Sequence, residues 1–288
     1  MDSPEIALTR YLYIKEDVLL SLIVSILEKD YDKALFWTSE LYFSGLEKEV
    51  TQFIYSIYGQ LFYSLNPKLD RIMLVGLKRY DKGIHILATM LMNLVAKPRK
   101  YTLEHFMSHE TDPPVKSNAD KNETRVCLFA NQIKSQKYST EMIEKNGQPL
   151  YKMLQHACKY EIDKNWTQVF CCIHTDFEPN DIQEKLRKNW IYYAYFTPLW
   201  KDRIEKFNGI VDYKNKKINF KSDEDSESFS ELYEYDIDEQ SLDVYNKISH
   251  TLILPKHNIN DFYKKYQPNR KIIKIKLKRV DQVCSEGK

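Results

Sequence analysis

The sequence predicts a mainly α-helical protein, a body of helical hairpins with a small C-terminal α+β region. Three observations carry that reading. Apolar residues recur at spacings of three and four through most of 1–207, the period of a helix face. Glycine is scarce, with 7 residues against 21 tyrosines, which disfavours glycine-rich loops. After Asn208-Gly209 the pattern changes to short β-type runs.

The clearest stretch is Tyr31 to Pro67, read as two helices and a turn. Asp30 is placed to accept hydrogen bonds from the free N–H groups of the first turn. At about 100° per residue, Ala34, Leu35, Trp37, Leu41 and Tyr42 share a broad face. Phe36 and Phe43 fall nearly opposite, so an inner helix packed on two sides is expected. Asp32, Lys33, Ser39 and Glu40 fall in the strips between. Gly45 can adopt the left-handed conformation that ends a helix. The second helix carries Val50, Phe53, Ile54, Ile57, Leu61 and Leu65, and Pro67 is expected to stop it.

Upstream, Ser3-Pro4-Glu5 reads as a helix start, with the pattern running to about Lys29 and a break near Lys15–Asp17. Downstream, Asp70–Tyr80 and Ile84–Lys97 form a further pair around Asp81-Lys82-Gly83. Successive pairs of this kind can stack as a solenoid. Pro98 to Arg125 is polar and reads as a long loop with a short helix near Thr102–Ser108. Helices are then expected near Leu150–Tyr160, Asp163–His174, Asn180–Phe196 and from Pro198 to Phe207. The domain reading is a helical hairpin bundle at 1–97, a polar linker at 98–125, a second helical part at 126–207 and an α+β tail at 209–288.

In the tail, Ile210–Tyr213 and Lys217–Phe220 flank Lys214-Asn215-Lys216 as a hairpin. Ser222 to Asp243 carries ten acidic residues and no basic one, and reads as a solvated acidic loop. Arg270–Val280 alternates Ile273, Ile275 and Leu277 with Lys274, Lys276 and Lys278, the pattern of a half-buried strand.

Two strings, DYDKALFWTSELYFSGLEKEV and YYAYFTPLWKDRIEKFNG, resemble segments of uncharacterised proteins of nucleocytoplasmic large DNA viruses. The resemblance covers about 40 of the 288 residues. It implies a viral origin, and with it the host cytoplasm or the virion as the place of action. Neither string is a catalytic motif, so the resemblance carries over no functional residue.

Composition narrows the chemistry. The chain holds 43 basic and 41 acidic residues, a net charge of +2, which gives no whole-molecule attraction to nucleic acid. Five cysteines at irregular spacing suit reduced thiols in an intracellular protein. The apolar runs at Val18–Leu27 and Ile84–Ala96 are too short to span a bilayer, so no membrane insertion is expected. Phosphate-loop, dinucleotide and nucleophile-elbow motifs are missing. His105 and His109 share a helical spacing without the zinc-protease order, and read as surface histidines. His156/Cys158 and Cys172/His174 have soft-ligand chemistry, but i and i+2 point to different sides of a helix.

No catalytic residue, metal ligand or cofactor is therefore assigned. The leading expectation is a non-enzymatic interaction or scaffold protein with a protein partner. The alternative is a nucleic-acid-binding accessory factor. Its candidate contacts are Lys264, Lys265, Arg270, Lys271, Lys274, Lys276, Lys278 and Arg279, whose charges can displace counterions from phosphates. Tyr263 and Tyr266 would offer stacking surfaces, and the acidic segment would lie near the lysines. A lysine row can equally guard a sheet edge. A third class, an enzyme whose site assembles only in three dimensions, leaves no mark in the sequence.

Overall fold

The computed structural model describes residues 6–64, 66–95, 149–163, 165–166, 179–235, 240–248 and 257–266. It is mainly helical, with one two-stranded antiparallel sheet among the described residues.

The N-terminal segment corrects the first expectation. Ile6–Ile14 is not helical. Leu8 and Ile14 form an antiparallel bridge. Thr9 N–H donates to the Tyr13 carbonyl at 2.8 Å and Lys15 N–H to the Ala7 carbonyl at 2.9 Å. Leu12 turns the chain with φ 64°. Each residue from Ile6 to Ile14 is buried, and the segment's backbone bonds to distant parts of the chain, with Leu8 N–H on the Tyr193 carbonyl and the Thr9 carbonyl on Trp200 Nε1, in place of a helical ladder.

Helix α1 spans Lys15–Leu27 and α2 spans Tyr31–Tyr42. Asp30 caps α2 as expected, accepting from Lys33 N–H at 3.0 Å. Every residue from Ala34 to Leu41 is buried, so α2 is an inner helix. Gly45 takes φ 85° at the turn that follows. Helix α3 spans Glu47–Ile57 and then widens into a π-helical turn at Tyr58–Phe62, where Tyr63 N–H donates to the Tyr58 carbonyl at 2.9 Å. The helix expected to run on to Pro67 therefore changes pitch ten residues early. The wider turn coincides with burial of Tyr58, Leu61 and Phe62. Pro67 opens a short 3₁₀ turn instead of closing the helix.

Helix α4 spans Asp70–Arg79 and α5 spans Ile84–Val95, joined through a 3₁₀ turn and Gly83 at φ 129°. Helix α5 packs on α4 and also returns to α1, α2 and α3. The first five helices thus close on one another around α2. An open solenoid row would keep α5 away from α1.

Helix α6 spans Leu150–Ala157. Helix α7 spans Pro179–Ala194 with a break at Asn189, and α8 spans Pro198–Lys206. Strands β1, Gly209–Asp212, and β2, Lys217–Phe220, form the expected hairpin, with Gly209 opposite Phe220 and Asp212 opposite Lys217. Three short helices follow: α9, Asp223–Tyr233; α10, Leu242–Ile248; and α11, Ile259–Tyr266.

The acidic stretch is thus helical over Asp223–Tyr233 and again from Leu242, in place of the expected solvated loop. Ser222 caps α9, accepting from Asp225 N–H at 3.2 Å. Asp223, Glu224 and Asp225 sit at the positive end of the helix dipole. Phe229 and Tyr233 anchor it in the core. The polar stretch 98–125, the helix at Thr102–Ser108, helical text at 126–148, most of the expected Asp163–His174 helix and the strand at Arg270–Val280 lie outside the described residues.

A single cluster of buried apolar residues runs from Ile6 to Tyr266. The N-terminal segment lies at its join. Leu8 N–H donates to the Tyr193 carbonyl at 3.2 Å. Thr197 Oγ1 donates to the Leu8 carbonyl, and Trp200 Nε1 to the Thr9 carbonyl, both at 2.9 Å. No described helix is long and apolar enough to cross a membrane.

Candidate functional site

The sequence-derived basic cluster is described only at its first two members. Lys264 and Lys265 lie in the last turn of α11. Lys264 is exposed, with Asp261 3.5 Å away. Lys265 Nζ instead pairs with Glu28 at 2.7 Å and lies over the Tyr266 and Trp166 rings. Tyr266 O–H donates to the same Glu28 carboxylate at 3.2 Å, and its ring packs on Phe262 and Trp166. Lys265 and Tyr266 thus fasten α11 to the end of α1. Burial opposes ionisation of Glu28, but the bonds from Lys265 and Tyr266 outweigh it and hold the carboxyl below its usual range. The partner of Lys265 is Glu28, and not the acidic stretch of α9. Arg270, Lys271, Lys274, Lys276, Lys278 and Arg279 lie outside the described residues.

The soft-ligand pairs divide in the same way. His156 is exposed on α6 while Cys158 is buried just beyond it. Burial drives the Cys158 thiol well above its ordinary value, the opposite of what a nucleophile needs. His105, His109, Cys172 and His174 lie outside the described residues. Among the described residues, no group of three His, Cys, Asp or Glu side chains is placed to hold a metal ion.

Sequence reasoning missed a buried ion pair. Glu40, placed in a polar strip of α2, is fully buried. Its carboxylate accepts from Arg10 Nε at 3.0 Å and from Tyr11 N–H at 2.9 Å. Arg10 N–H donates to Ser44 Oγ at 2.8 Å, and the guanidinium lies over Tyr11 and Phe43. Spacing along one helix holds no signal for a partner 30 residues away. The pair faces protein on every side, and its geometry positions the N-terminal segment.

The surfaces that remain open are of another kind. On α4, Leu74 and Val75 are 36% and 45% exposed. Exposed Arg71 lies three residues before this pair and exposed Lys78 three residues after it, so the four share one helical face. Lys68, Arg79 and Lys82 add cations, and the stretch Lys68–Lys82 holds five against two carboxylates. Among the described residues, Arg71, Lys78 and Arg79 form no ion pair. On α9 the opposite holds. Glu224, Glu227, Ser228 and Glu231 are exposed along one face, and Leu232 beside them is 41% exposed. Asp223–Glu234 holds six carboxylates and no cation. The hairpin adds a third exposed patch, with Ile210 67% and Tyr213 62% exposed beside Lys214 and Lys217. The α4 stripe follows a helical period that is visible in the sequence. The α9 face was hidden because an acidic, serine-rich run resembles solvated loop text.

Protein-family models, curated proteins and solved structures were compared with the chain, and none matches.

Proposed function

We propose that this chain is a protein-interaction or scaffold protein that acts through helix faces presented by a packed core. The observation that carries this reading is the outward face of α4. A helix buried on one side by Met73 and Gly76 turns Leu74 and Val75 to solvent between Arg71 and Lys78. Clustered apolar side chains rimmed by charge are what a protein partner covers. The two strings that resemble viral proteins support a viral origin and a role in the host cytoplasm or virion.

The test is a photo-crosslinking side chain at position 75, with exposed Gln52 on α3 as the control position. The expected result is a discrete crosslinked product from position 75 in cells producing the protein, lost when Leu74→Asp is added. Equal labelling from positions 75 and 52 refutes the reading.

A second reading, nucleic-acid binding, rests on Lys264 and on the C-terminal cations Arg270, Lys271, Lys274, Lys276, Lys278 and Arg279, with Lys265 set aside because Glu28 holds it. It gains from the exposed Tyr213 beside Lys214 and Lys217, since an open ring among cations can stack on a base. Binding that weakens steeply with salt in an anisotropy titration distinguishes it.

A further inference from the structure

Resting on the interaction reading, we propose that the partner of the α4 face is the α9 face of a second copy of this chain. The two faces complement each other in charge. The α4 face places two aliphatic side chains between Arg71 and Lys78. The α9 face places Glu224, Glu227 and Glu231 along one stripe with Leu232 at its edge. With the two faces laid against each other, Arg71 and Lys78 face the carboxylates at the two ends of the stripe, and Leu232 lies at the edge of the contact. Opposite potentials also steer the encounter and fix the register. Asp225 is already engaged within its own chain, by Asn208 Nδ2 at 3.0 Å and Ser222 Oγ at 2.8 Å. These bonds lower its carboxyl's pKa and lock the start of α9. The three glutamates of the stripe remain for a partner.

The contact is between unlike patches. It closes where the rotation between copies returns to the start, as a two-fold pair or a ring, and otherwise grows as a filament with one α4 and one α9 open at its ends. One helix against one helix buries less than the roughly 1,600 Å² of a standard stable interface. The association is therefore weak, reversible and sensitive to salt, since screening shortens from about 10 Å at 0.1 M to about 3 Å at 1 M.

The experiment is sedimentation of the full chain over a concentration series at low and high salt. The expected result is mass that rises with concentration at low salt and returns to the monomer at high salt. Two charge-reversed chains make the test specific. One carries Arg71→Glu with Lys78→Glu, and the other carries Glu227→Lys with Glu231→Lys. All four positions are exposed, and circular dichroism checks that each chain stays folded. Each reversed chain alone is expected to associate roughly tenfold or more weakly, and their equimolar mixture is expected to regain the lost association. A parent chain that stays monomeric throughout, or a mixture that fails to recover, overturns the proposal. A monomeric parent that still gives a discrete crosslink from position 75 overturns only the choice of a second copy and leaves the interaction reading intact. A monomeric parent that instead sediments with anionic vesicles through Arg71 and Lys78 overturns it in favour of a lipid surface.

Discussion

Trp37 shows at the residue scale what an inner helix demands. Its ring meets Phe36 and Tyr13 edge-to-face, with centroids 4.9 and 5.2 Å away. Phe36 in turn meets Tyr160 at 5.1 Å, so one ring cluster links α2 to the N-terminal segment and to the chain beyond α6. Truncating Trp37 or Leu41 to alanine removes buried area and leaves a cavity that rigid neighbours cannot fill. Each variant is expected to lose about 2–5 kcal/mol, read as a lower midpoint in thermal or urea unfolding. An unchanged midpoint in both would contradict the inner position of α2. Gly76 makes the complementary point. A Cβ there would meet Met90 Sδ, so the absence of a side chain lets α4 and α5 approach closely. The inner helix, its Asp30 cap and the Gly45 turn were legible because each depends on neighbours within a few residues. Glu40 was not, since charge at a helix position normally signals solvent and its partners come from a distant turn.

Helix α11 belongs to the element scale. It is short, at 8 residues, and too short to be stable alone. Its hold on the body is Phe262 and Tyr266 against Trp166, with Lys265 and Tyr266 on Glu28. Because Glu28 has a lowered pKa when folded, its contribution is present above the unfolded value near 4.5 and is lost as pH falls through the lower folded value. The protection of the α11 amides, their hydrogen exchange corrected for the intrinsic rate at each pH, is therefore expected to fall on acidification below about pH 4.5. Glu28→Gln should raise exchange already at neutral pH and remove much of the acid dependence. An acid response unchanged by that substitution would place the switch elsewhere. The sequence treated Lys265 as a free surface cation. Its actual role depends on the end of α1 lying beside α11, which no local spacing records.

At the scale of the whole molecule, the segment from Ile6 to Ile14 decides how the chain holds together. It touches α2 through Arg10 and Tyr11, α7 through Leu8, and α8 through Leu8 and Thr9. The turn after α2 reaches the same place: Leu199 N–H donates to the Ser44 carbonyl at 3.1 Å, and a Cβ on Gly45 would meet Pro198. Helix periods predicted the helices well and could not predict this segment. Its hydrogen-bond partners lie up to 191 residues away, and its buried apolar text is compatible with helix or extended chain. The Arg10–Glu40 pair is the test of its role. Desolvating both charges costs energy that their mutual bonds offset, so the intact pair adds little net stability. Removing one partner leaves the other buried without this bond. Glu40→Ala and Arg10→Ala are each expected to cost about 3–5 kcal/mol, and the double variant far less than their sum. If the segment joins the bundle to the helices after it, each single variant should also loosen both together. Exchange should rise in α2 and in α8 alike, and unfolding should lose its single sharp transition. Additive costs, or exchange that rises in α2 alone, would reduce the segment to a local cover on the bundle.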